Sequence, residues 1–245
     1  MTLAIVSAMH QELAAVLALM PDEHRTVAAG RDFWRGHLHG VEVVAVLSRI
    51  GKVAAATTAA VLVERFGVDG IVFTGVAGGI GPGVSVGDVV VADHFVQHDL
   101  DASPIFPRYE VPLYGISRFP TDLRLSAALA DAVRAALPGT RLHRGLVASG
   151  DRFVSSADES RALQAALPDA VAVEMEGAAI AQVCHDYGVP FAAVRTISDR
   201  ADDTAHGDFT RFVVEVASRH SAAIVEALLK QAPRQEPLRA GRTAS

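Results

Sequence analysis

Four carboxylates, Glu12, Glu174, Glu176 and Asp199, lie at or just beyond short apolar runs, where an α/β sheet presents side chains to a ligand. The run over residues 3–7 leads into Ala8-Met9-His10-Gln11-Glu12. The run over 170–174 ends in Glu174-Met175-Glu176, and the run over 190–198 ends in Arg195-Thr196-Ile197-Ser198-Asp199. Two more ends carry Ser48-Arg49-Ile50-Gly51-Lys52 and Thr74-Gly75-Val76-Ala77-Gly78-Gly79. Glycines let a ligand approach the backbone closely, and carboxylates on one rim suit acid–base work on a ligand with hydroxyls or basic nitrogens. Taken singly, each group has a plainer role. Glu12 and Glu176 read as first-turn helix acids, Asp199 as an N-cap, and the glycines as a turn whose spacing matches neither dinucleotide nor P-loop motifs. His98-Asp99 reads as a polar loop anchor. The convergence at strand ends carries the chemistry.

The elements that must position these groups follow from hydrophobic period. Strands are predicted over 3–7, 41–47, 69–75, 86–95, 145–149, 170–174 and 190–198, and helices over 12–20, 53–66, 123–137, 156–167, 176–187 and 210–230. Ser156 with Glu159 three residues on has capping-box spacing. Strands separated by helices along the whole length predict one α/β domain around a mixed, largely parallel sheet. Residues 98–117 hold three prolines and several aromatics with no period, which marks a long loop that is functional or meets a partner. The tail beyond residue 230 is expected to be disordered, since residues 233–245 hold two prolines and three arginines and almost no apolar period.

Composition narrows the partners. The 245 residues are 50% hydrophobic and 20% charged, enough to bury a sizeable core unaided. With 22 basic against 28 acidic residues the net charge is -6, which gives no broad attraction for nucleic acid. Lys52 and Lys230 are the only lysines, so a polybasic anchor is missing. Cys184 stands alone, which excludes an internal disulfide and a multi-cysteine zinc site. No targeting h-region precedes the first strand, and no run reaches the ~18–20 apolar residues that span a bilayer. The expectation is a soluble, cytoplasmic protein.

The stretches Ser48–Ala55, Thr74–Gly79, Val86-Gly87-Asp88, Ser149-Gly150-Asp151, Val173–Glu176 and Val194–Asp199, in this order and spacing, resemble 5'-methylthioadenosine/S-adenosylhomocysteine nucleosidases, of the purine nucleoside phosphorylase/nucleosidase superfamily. The resemblance covers residues 1–230 and implies a nucleoside phosphorylase-like α/β fold. It implies hydrolysis of the N-glycosidic bond of the two nucleosides without metal or cofactor, in a homodimer. By that resemblance Glu12 activates the attacking water and Asp199 protonates adenine N7. Met175 and Glu176 hold the ribose, Glu176 by its hydroxyls, and Arg195 joins Glu12 in placing the water. Phe153 stacks on the purine, the Val154 backbone reads its edge, and Gly78 lies against the ligand. Met9, Ile50 and Phe209 line the ribose and 5'-thioalkyl region, and Phe106, Tyr109 and Pro112 come from the partner subunit's loop. Val76 stands where the family has a small hydroxyl residue, and Arg49 where it commonly has glycine.

The physics of the reaction agrees with those roles. Cleavage builds positive charge on the ribose and negative charge on the purine, so an acid at N7 and a carboxylate near the ribosyl carbon relieve both. The rival within the superfamily is a phosphorylase, whose phosphate needs cationic or N–H-lined surroundings. The phosphorylases flank the central glycine of the fourth-strand motif with arginine and serine, where this chain has Phe73-Thr74 and Val76. A hydrolase of a different 5'-substituted adenosine or of a futalosine-like compound also fits the residues, as does a non-catalytic nucleoside-binding protein on the same fold.

Overall fold

The structure is a computed structural model and describes residues 1–202, 205, 212 and 216–231. Ten strands form one sheet: β1 (Thr2–Ser7), β2 (His24–Ala28), β3 (Arg31–Leu38), β4 (Val41–Leu47), β5 (Gly70–Gly79), β6 (Val89–Gln97), β7 (Arg118–Pro120), β8 (Leu142–Ser149), β9 (Ala170–Glu174) and β10 (Phe191–Asp199). Around it lie α1 (His10–Leu17), α2 (Lys52–Phe66), α3 (Leu123–Ala136), α4 (Ala157–Ala166), α5 (Gly177–Tyr187) and α6 (Ser218–Gln231). The strand order is β10-β6-β8-β9-β5-β1-β4-β3-β2, and β10 also pairs with β5. Strands β5, β10, β6, β8 and β9 therefore close into a ring, and β1 to β4 extend from it as an open sheet.

β1, β4, β5 and β10 are buried on both faces, which explains why they read as unbroken apolar runs. Along β1, Ala4 and Val6 face a cluster with Ala59 and Leu62 of α2 and Ile180 of α5. Leu3 and Ile5 face the other side, with Val16 of α1, Leu129 of α3 and Leu228 of α6. The period-two alternation of β1 thus feeds two separate helix layers. A third cluster joins Val96, Ala148, Val154 and Val173 near the ring.

The predicted helices and strands all recur, with shifted ends. α1 begins at His10 rather than at residue 12, and β8 at Leu142 rather than at 145. Ser156 caps α4 by accepting from the Glu159 N–H at 3.3 Å. Residues 98–117 hold turns without helix or strand. The sheet is mixed, as expected, with five strand pairings parallel and five antiparallel, the parallel ones being the longer on the whole. The β2–β3 hairpin, turning at Ala29 (φ 46) and Gly30 (φ 68), adds two of the antiparallel pairings, and its exposed, polar β2 hid it from a hydrophobic period. Finally, the tail from residue 232 and the start of the last predicted helix, from 210, lie outside the described residues except for 212 and 216–217.

Candidate active site

The glycine run at residues 75–79 is strand, not turn. β5 continues through it, pairing with β10 along Gly75–Gly78 and then with β9 at Gly78 and Gly79. Its glycines are needed for close approach. A Cβ on Gly75 would sit 3.3 Å from both Glu12 carboxylate oxygens and 3.4 Å from Arg195 Nη1, and one on Gly78 would sit 2.9 Å from Asp199 Oδ1. The strand end therefore brings three charged groups from β1–α1 and β10 against one backbone.

Beside it lies a cavity of about 410 Å³. Met9, Ile50, Gly78, Phe153, Val154, Met175, Glu176 and Asp199 all line it. Ala8, Val76, Ala77, Arg152, Val173, Glu174 and Ser198 complete the lining, and of these the sequence had marked only Val76 and Glu174. The lining is mostly apolar with a few carboxylates, which suits a flat, uncharged base joined to a polyhydroxylated ring. Phe153 is 38% exposed and Ile50 58%, so the mouth carries apolar side chains facing outward. Phe209 lies outside the described residues. Phe106, Tyr109 and Pro112 do not line the cavity of their own chain, and Tyr109 packs against the cluster that contains Val154.

Glu12 and Arg195 are not in the cavity lining; both pack against Gly75 of β5, the residue before the lining residue Val76. Glu12 is fully buried; its Oε2 accepts the Met9 N–H at 3.1 Å, and its Oε1 is a buried acceptor with no hydrogen-bond partner. Burial raises its pKa to about 7, against smaller opposing effects from the Met9 N–H, the Arg195 charge and the Ala8 N–H. Such a carboxyl can take and return a proton near neutral pH. Arg195, 1% exposed, donates from Nη2 to Glu174 Oε2 at 2.9 Å and from Nη1 to the Phe73 and Val194 carbonyls at 3.4 Å. Its guanidinium lies 3.5 Å over the Phe73 ring. It therefore acts on Glu12 as a nearby positive charge, its forked donors being held by Glu174 and backbone.

Glu174, marked in the sequence only as one carboxylate among four, is the hub of the site. Besides Arg195, it accepts the Ser149 hydroxyl, the Glu176 N–H at 3.2 Å and the Gly177 N–H at 2.9 Å and 3.0 Å. It is thus the carboxylate that satisfies the orphan donors at the start of α5, the task first assigned to Glu176. The signal was its position two residues ahead of Glu176 with an arginine at the next strand end. Freed from capping, Glu176 reaches across to accept the Gly51 N–H at 2.8 Å. Burial and the Glu174 charge raise its pKa. Asp199 is 1% exposed; its Oδ2 accepts the Ser198 hydroxyl and its Oδ1 the Ala201 N–H, both at 2.8 Å. His98-Asp99 proves a loop anchor: Asp99 accepts from Lys52 Nζ at 2.5 Å and from the Asp151 N–H at 2.9 Å.

Comparison with known proteins is consistent with this geometry. The model of the phosphorylase superfamily matches residues 2–230. A relative from Geobacillus thermodenitrificans (strain NG80-2), a 5'-methylthioadenosine/S-adenosylhomocysteine nucleosidase, is 39% identical, and the match covers 94% of this chain and 96% of that one. The nucleosidase of the same name from Neisseria meningitidis, solved with methylthio-immucillin-A, is 36% identical with a TM-score of 0.90, covering 94% of this chain and 99% of its own. A futalosine hydrolase from Helicobacter pylori strain 26695 is 33% identical with a TM-score of 0.88, covering 94% and 98%. On these matches, the chain belongs to the 5'-methylthioadenosine/S-adenosylhomocysteine nucleosidase family of the phosphorylase superfamily.

Proposed function

We propose that this enzyme hydrolyses the N-glycosidic bond of 5'-methylthioadenosine and S-adenosylhomocysteine, releasing adenine and the 5'-thio-substituted ribose, as a cytoplasmic step of methionine salvage. Glu12 takes a proton from water as the water oxygen bonds to the ribosyl carbon. Asp199 gives a proton to adenine N7 as the base leaves, and Glu176 holds the ribose hydroxyls. Buried carboxylates close to the ribose also favour its developing positive charge. The observation that carries the reading is the orphaned, fully buried Oε1 of Glu12 against Gly75, next to the cavity that Val76 and Asp199 line.

Water rather than phosphate fits the surroundings. Arg195 is tied to Glu174, and Arg152, which lines the cavity, is paired with Glu159. A phosphate would have to displace one of these carboxylates. Adenine release from the two nucleosides should therefore proceed in phosphate-free buffer and yield free ribose sugar. A requirement for phosphate, with ribose 1-phosphate products, would reassign the chain to the phosphorylases. Activity on a futalosine-type nucleoside alone would reassign the substrate.

Val76 lines the cavity and offers no hydrogen bond to the water. One hydrogen bond to a poised water is worth about 0.5–1.5 kcal/mol, roughly a factor of two to ten in rate. Val76→Ser should raise turnover of methylthioadenosine by that factor with little change in affinity. Lower turnover in the variant would mean that Val76 packs against a different 5'-substituent.

The enzyme works as a homodimer in which Phe106, Tyr109 and Pro112 of the partner subunit close the 5' end of the cavity. In support, Ile50 beside the mouth is 58% exposed, and the long loop leaves Ile105 82% and Leu113 91% exposed. Sedimentation at assay concentration should give twice the chain mass. A fully active monomer would refute the shared pocket.

A further inference from the structure

A second cavity, of about 510 Å³, lies between α1 and the β3–β4 edge of the sheet. Arg31, Arg49 and His10 line it, with an apolar wall of Leu13, Leu17 and Trp34. Burial, and to a smaller degree the Arg49 charge, lower the Arg31 pKa, and neither arginine has a carboxylate partner among the described residues. They are held only by backbone carbonyls: Arg31 by Ala29 at 2.8 Å and Ala54 at 3.1 Å, Arg49 by Gly30. Arg31 Nε is a buried donor with no partner at all. The one acid in the lining, Asp32, is already neutralised by Arg25 at 2.7 Å. Two arginines without a carboxylate partner that line one cavity beside an apolar wall suit a carboxylate on an apolar stem.

Arg49 also stands in the left-handed region, at φ 67, where glycine would be free of strain. The backbone there gains nothing from a side chain, so the guanidinium is what the position keeps. The two cavities draw lining residues from the same two chain segments. His10 follows Met9, and Arg49 precedes Ile50, and both Met9 and Ile50 line the catalytic cavity. Those two residues are the ones the proposed function sets around the 5'-substituent.

We propose that this cavity is a subsite for the carboxylate end of the 5'-substituent, so that the enzyme prefers a carboxylate-bearing thioalkyl adenosine such as S-adenosylhomocysteine over methylthioadenosine. The inference rests on the nucleosidase reading of the main cavity. Arg31 and Arg49 grip the carboxylate, and Leu13, Leu17 and Trp34 cover the stem. Loss of one charge-assisted contact corresponds to roughly a tenfold weakening.

Arg49→Gly removes the guanidinium and relieves the left-handed backbone, so the variant should fold. Its KM for S-adenosylhomocysteine should rise roughly tenfold while kcat, and both constants for methylthioadenosine, stay unchanged. Trp34 is the only tryptophan, so its emission reports this cavity alone. In an Asp199→Asn background, which keeps the substrate intact, S-adenosylhomocysteine should shift that emission. Methylthioadenosine and free butyrate at the same concentration should not, and adding Arg49→Gly should abolish the response. Equal effects on both nucleosides, or no emission change, would overturn the subsite. A response to butyrate as strong as to S-adenosylhomocysteine would overturn the tail assignment in favour of a free-carboxylate site. A wild-type enzyme that releases no adenine from methylthioadenosine would sink the nucleosidase reading instead, and the emission titration would still decide the subsite.

Discussion

Asp199→Asn should lower the turnover number by at least ~10²-fold while leaving KM nearly unchanged, because it removes a proton donor and little else. The amide has the shape of the carboxylate. Its oxygen can still accept the Ala201 N–H that now bonds Oδ1 at 2.8 Å. The Ser198 hydroxyl, which donates to Oδ2 at 2.8 Å, can rotate to accept from the new NH₂. Gly78, with no Cβ to obstruct, leaves the same space for either group. The purine must then leave without a proton at N7, and its negative charge stays on the ring in the transition state. Single-turnover adenine release, beside a thermal melt, tests this directly. Near-normal release from a well-folded variant would place the acid elsewhere on the rim, and a collapsed melt would point to a structural role for the carboxylate.

The residues that line the cavity were legible because strand ends in an α/β sheet are places where chemistry collects, and the resemblance to the nucleosidases marked which residues at those ends matter. Met9, Ile50, Gly78, Phe153, Val154, Met175, Glu176 and Asp199 all reach one cavity from separate segments of chain. What the sequence could not convey is depth. Glu12 and Arg195 read as members of the same rim, yet both are fully buried against Gly75 of β5 and outside the cavity lining. Nor could it separate Glu174 from Glu176. Two acids flanking one methionine look equivalent, and only the start of α5 decides that Glu174 takes the Gly177 N–H and the Arg195 charge while Glu176 is left for Gly51. The same limit explains the glycine run. Glycines after an apolar strand signal a turn by local rules, whereas here β5 exchanges one neighbour for another along them. The β2–β3 hairpin escaped for the opposite reason, since β2 is exposed along most of its length and has no apolar period to read.

Glu12→Gln sets function against stability, and the two should move in opposite directions. The wild-type carboxyl has its pKa raised from 4.5 to about 7, chiefly by burial. Between those values the native state keeps a proton that the unfolded chain has released, so the native state becomes less stable as pH rises through that window. The difference of about 2.5 units corresponds to about 3 kcal/mol, absent below pH 4.5 and fully present above pH 7. Glutamine carries no charge to desolvate and can still accept the Met9 N–H. The variant should therefore melt higher than wild type at pH 8 and about equally at pH 4. Its turnover should nonetheless fall by at least ~10²-fold, because no base remains to take the proton from water. Substrate binding should persist, since Glu12 is not among the residues that line the cavity. In the wild type the same pKa sets the acid limb of the rate: turnover should drop about tenfold per pH unit below pH 7, as the base is protonated. That limb should vanish from the residual activity of the glutamine variant. A variant that melts lower at pH 8, or that keeps normal turnover with the acid limb intact, would show that Glu12 is a structural acid at the start of α1 and that another group activates the water.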